Sequence, residues 1–210
     1  MFGNKKSNAV NSSSTTIITQ CMEIKGNVKG CGTIHIDGTV HGDIDVEENV
    51  VIGESGTVYG TIKSKHILIS GRLEGSVFGD TIEITKSGSV SNKIEARELI
   101  CDGNVEATLF AHDTIRITDN GKIKATKMES KHIIVSGFIT GNVVASNLLE
   151  INNNGQVKGE MIVKKIKVAE GGLMLGTMMT YETSDSMKTV KVKPVAQTNL
   201  KEEDTTKKEA

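Results

Sequence analysis

Aliphatic residues along this chain alternate with polar ones in short runs, and glycines interrupt the runs at regular places. The stretch GRLEGSVFGDTIEITKSGSVSNKI, residues 71–94, shows the unit: Gly, an aliphatic two positions on, a second small residue, another aliphatic, a polar run, then an Ile-x-Ile pair and another Gly. The period of two is the mark of a strand with one buried side. The predicted strands are about three to five residues long, bounded by glycine or polar corners.

The glycine after each Ile-x-Ile-like pair is read at Gly38, Gly56, Gly71, Gly88, Gly103, Gly121, Gly137, Gly155 and Gly171, in steps of 15 to 18 residues. The spacing alternates. After Ile36, Ile69, Cys101 and Val135 the glycine follows two residues on; after Ile52, Ile84, Ile117 and Ile151 it follows four residues on. Short-turn and long-turn units therefore pair into a longer repeat, and repeats of this kind are the signature of a stacked architecture. Two-residue hairpin chemistry such as Asn-Gly between the strands is absent, which disfavours antiparallel hairpins. A unit of 15 to 18 residues is also too short for a strand–helix–strand crossover of about 30.

The pattern that remains is a coil of strands. Each unit makes one turn and stacks on the last about 4.8 Å higher, because one turn cannot bury its own apolar side and a stack can. The fold expected is all-β: a single-domain parallel β-helix of about nine to ten turns, the first one less regular. The domain limits expected are 21–181 for the helix, with disordered tails at 1–20 and 182–210. The second small position is Gly42, Gly60, Gly75, Gly141 and Gly159, but Asn92, Ala107 and Ala125 in the middle. Asn tolerates a left-handed corner and Ala does not, so the central corners are expected to differ.

Composition fits thin aliphatic layers: four Phe, two Tyr, no Trp, 22 Gly and one Pro. With 25 basic and 26 acidic residues there is no overall charge to attract nucleic acid, and none is expected as a partner. Cys21, Cys31 and Cys101 are odd in number and lack metal-ligand spacing, which points to a reducing compartment; Cys101 sits where other units carry Ile or Val and reads as core. No apolar run approaches the roughly 20 residues of a membrane span, and the start lacks the apolar segment of a secretory signal.

Candidate chemistry is sparse. His66 and His132 hold equivalent places with Glu98 between them, but equivalent units are two turns apart, roughly 10 Å. That is too far to share a metal, so no metal or cofactor is expected. His35, His41 and His112 complete the histidines. Lys65, Arg97, Lys131 and Lys165 read as a basic stripe on one corner, most simply a solvated face. The motifs of serine hydrolases, P-loop proteins and zinc proteases are absent, and no catalytic residues are assigned. The tail 182–210 carries six basic and six acidic residues and no aliphatic ladder.

The units IHIDGTVHGDI, VVIGESGTVYGTI, ILISGRLEGSV and LEINNNGQVKGEM resemble the bactofilins over about residues 22–181. That resemblance implies a right-handed β-helix and a bacterial cytoskeletal scaffold. It implies assembly into filaments without nucleotide and without polarity, on the inner face of the cytoplasmic membrane, positioning cell-envelope or division proteins. It also implies that Met1, Phe2, Lys5 and Lys6 dock on that membrane; each lysine adds about 1 kcal/mol near anionic lipid. Where the family's last turn carries an aromatic residue, this chain has Met174.

The open ends of a β-helix are unpaired edges over an exposed apolar layer. No cap is evident, so the polymer contacts are expected at Ile24, Val28, Ile34, Ile36 and Val40 at one end, and Val168, Leu173, Met174 and Leu175 at the other. Two other classes stand beside this reading. A β-helical acyltransferase or carbohydrate-active enzyme would need a cleft with a histidine or paired carboxylates. A non-polymerising β-helical binding module would need sealed ends.

Overall fold

A computed structural model describes residues 14–180 and the short strand Thr189–Val190. It is an all-strand parallel solenoid of ten turns, each with three short strands on three faces. The first turn runs through Thr15–Ile18, Glu23–Lys25 and Val28–Gly30, and the second through Thr33–Ile36, Thr39–His41 and Ile44–Val46. We call these the first, second and third faces. Each strand pairs in parallel with its counterpart one turn on: Ile18 with Ile36, Ile24 with Val40, Val28 with Ile44. From residue 62 onward the strands bend through corners without a break, as in Arg72–Ile84 and Ser89–Cys101.

The solenoid starts earlier than the expected boundary at 21. Thr15–Ile18 pairs with Thr33–Ile36 and Ile18 is buried, because Ile-x-Ile spacing is not needed for a strand whose one inward aliphatic meets the ladder. At the other end, Thr189–Val190 pairs antiparallel with Met178 and Met179, within the segment expected to lack structure. The remaining tail residues lie outside the described set.

The core is a set of columns, one residue per turn. The best filled runs from Ile18 through Ile69, Cys101 and Val135 to Ile151. The last inward place on the third face narrows to Ala96, Ala111, Ser130 and Ala145. Ser130 is the buried polar member, and its Oγ donates toward the Asp113 and His132 carbonyls at 3.2 and 3.3 Å. A hydroxyl is tolerated there because it is partnered.

Two corners need glycine for different reasons. Between the first and second faces, a Cβ on Gly71 would overlap the Gly56 carbonyl oxygen of the turn below, so close stacking excludes side chains. Between the second and third faces the backbone itself is unusual: Gly141 has φ +132°. The central corners differ, as the sequence suggests. Asn92 keeps a positive φ of 103°, whereas Ala107 and Ala125 do not and turn inward, both buried. The ladder slips beside them, between Glu106 and Leu109 and between Ala125 and Met128.

One anchor is corrected. Leu173 N donates to Gly155 O, so the residue stacked on Gly155 is Gly172 and not Gly171. The tenth turn is therefore a second long one in succession, and the strict alternation ends there. Gly171, at φ +88°, lies inside that longer corner.

Candidate assembly surfaces

The expected end-contact residues separate into three groups. Ile24 and Val28 lie on the first turn, partly buried against the core. Ile34, Ile36 and Val40 are one turn inside and fully buried beneath Thr16, Ile18 and Ile24; they support the end and do not form it. The sequence pattern is clearest from the second turn on, which is why it placed the end one layer too deep.

At the far end Met174 stacks inward on Val157, but Leu173 and Leu175 stand on Gln156 and Lys158 and face outward. A strand alternates sides, so only the middle residue of the three continues the core. Val168 continues the column of Ile151, yet it is 45% exposed where Ile151 is 0%. Met178 stacks on Met161 in the same way and is only partly buried. Among the described residues, the strand paired with this last turn beyond the ninth is Thr189–Val190, on the third face. Met1, Phe2, Lys5 and Lys6 lie outside the described residues.

The basic stripe is also corrected. The turns between Lys65, Arg97 and Lys131 carry Asp80 and Asp113 at the same corner. Arg97 lies 3.8 Å from Asp80, and Lys131 lies 2.8 Å from Asp113. Lys131 holds the Asp113 carboxyl below its usual range. Lys165 belongs one column over, stacked on Leu148 above His132. The corner is thus an alternating ladder of opposite charges with little net field. Comparing only same-class units hid the acids; comparing every turn would have found them. Such exposed pairs stabilise little individually.

The histidines are dispersed. His66, Glu98 and His132 are separated by Thr81 and Thr114, as two-turn spacing requires. His35 meets Asp37 at 3.0 Å, His41 stacks on Tyr59 with ring centroids 4.8 Å apart, and His132 lies 2.8 Å from the Asn147 amide. Each of these three has a local partner. On the neighbouring corner Thr118 and Asn120 donate to Asp102, which lowers its carboxyl pKa. Cys101 is buried, its thiol pushed up to about 12 by that burial, with Sγ 3.6 Å from the Gly103 carbonyl; Cys21 and Cys31 are exposed. Among the described residues no helix is long and apolar enough to cross a membrane.

Among the described residues the ladder ends in a partly exposed apolar layer at Val168, Met174 and Met178. The family model for bactofilin, described as polymer-forming cytoskeletal, matches twice in tandem, over residues 16–102 and 93–179. The chain belongs to the bactofilin family, and the two matches overlap at residues 93–102 within one continuous stack. It is 33% identical over 70 residues to Bactofilin BacO of Myxococcus xanthus (strain DK1622). That alignment covers 33% of this chain and 56% of the relative. No solved structure matches the chain. The tandem match accounts for a solenoid of ten turns, about five to each family unit.

Proposed function

We propose that this protein is a cytoskeletal scaffold that polymerises end to end through the two open turns of its solenoid, without nucleotide. The observation that carries the reading is the contrast at the last turn: Val168 is 45% exposed while Ile151, one turn below in the same column, is fully buried. A further turn from another molecule would bury Val168, Met174 and Met178 and pair their backbone edge, as strand addition does elsewhere. Burial alone drives such a contact, so no hydrolysis step and no catalytic role are invoked. Joining like ends would give filaments without polarity. Thr189–Val190 occupies part of one edge and would be displaced or built over.

The filament is placed in the cytoplasm on the inner membrane face, where it positions cell-envelope or division proteins. Met1, Phe2, Lys5 and Lys6 supply the anchor. One copy binds weakly, and a filament presenting many copies binds by avidity. The test is pelleting and negative-stain electron microscopy of the full chain, with and without ATP or GTP. Filaments of one-molecule width in both conditions are expected. Uniform small particles in both would overturn the reading.

A further inference from the structure

The second face carries two outward columns. Numbering turns from the first, one column holds Glu74 in turn four, Glu106 in six, Lys124 in seven and Lys158 in nine. The other holds Ser89 in turn five and Phe138 in turn eight. Phe138 protrudes, 41% exposed. A shallow depression of about 570 Å³ runs along this face from Arg72 to Phe138, past Ser89, Ser91 and Asn104.

From this we infer that the second face pairs with the second face of another copy, the two solenoids lying antiparallel about a two-fold axis between turns six and seven. The arrangement is isologous, so each contact occurs twice. It sets Glu106 on Lys124 of the second copy and Glu74 on Lys158. Phe138 enters the depression at Ser89. The outward aliphatics of the last turn are covered as well: Leu175 meets Tyr59, and Leu173 meets Thr57. From turn three to turn ten no like charges oppose one another.

Eight turns at about 4.8 Å by a strand some 10–15 Å wide give roughly 400–600 Å² per partner. That is near the lower limit for a specific interface. The contact is therefore weak between free molecules and cumulative between filaments, where it would join two antiparallel strands of subunits.

Cysteine cross-linking tests this directly, in the full chain with Cys21→Ser and Cys31→Ser. Ser91 and Thr140 oppose each other across the axis. Within one chain they are three turns, about 14 Å, apart, too far for a disulfide. A mixture of Ser91→Cys and Thr140→Cys proteins should give cross-linked dimers on a denaturing gel, and neither variant alone should. Both positions are far from the solenoid ends, so the result stands whether or not the ends assemble. Charge reversal adds a second arm. Glu74 and Lys158 are five turns, about 24 Å, apart within a chain, so any rescue must act between chains. Glu74→Lys or Lys158→Glu should each lower the cross-linking yield about threefold or more at low salt, and the double variant should restore it. No dimer from the mixture, equal self-linking of Ser91→Cys, or no rescue by the double reversal would overturn the inference.

Discussion

Met174 stacks inward on Val157, whereas its neighbour Leu175 stands on Lys158 and faces out. Two adjacent apolar residues at one end of the solenoid therefore have different work. Only Met174 belongs to the layer that a further turn would bury.

Arginine at the two positions should separate these roles. An uncompensated buried charge costs about 3–5 kcal/mol, so Met174→Arg should raise the concentration needed for assembly by on the order of 100-fold or more. Leu175→Arg should leave that concentration nearly unchanged. Sedimentation across a concentration series reads both, and circular dichroism checks that each variant stays folded. Equal effects would mean the end contact wraps around the outer side.

Gly141 and Asn92 occupy equivalent corners with positive φ. Gly141→Ala forces a Cβ into the Ala125 carbonyl and should destabilise by about 1–3 kcal/mol in urea unfolding. Asn92→Gly relieves strain and should be neutral or slightly stabilising. Because Ala107 and Ala125 have left the positive-φ region, alanine itself is not the obstacle; the corner conformation is.

Two of the three thiols should react quickly with a disulfide reagent at neutral pH, Cys21 and Cys31. Cys101 should react only on unfolding. Its folded pKa is raised from 9.0 to about 12, so its contribution to stability is fully present below pH 9 and lost as pH rises toward 12. Cys101→Val should flatten the alkaline part of a stability–pH curve.

Deleting Met1 and Phe2 should release filaments from anionic liposomes without dissolving them. Co-sedimentation with vesicles reads the first effect and pelleting without vesicles the second. Unchanged vesicle binding would remove the proposed anchor.

Much of the fold is written in period-two aliphatics and stacked glycines, because a solenoid has one repeated local geometry. The strand Thr15–Ile18 is less legible, since Ile18 is its one buried aliphatic. The antiparallel pairing of Thr189–Val190 depends on a chain reversal with no repeat to announce it. The candidate site was partly legible. Val168 and Met174 follow from the ladder, but Leu173 and Leu175 required knowing which parity of the last strand faces in. The acids between Lys65, Arg97 and Lys131 sit in turns of the other class, where a comparison of like units does not look.

The most direct test of the central claim is the diffraction of aligned filaments, or the power spectrum of their electron micrographs. Continuous stacking of ten-turn molecules predicts a strong reflection near 4.8 Å along the filament axis and a subunit length of about 48 Å. A 4.8 Å reflection lying across the axis would mean that the solenoids assemble side by side, and would contradict end-to-end growth.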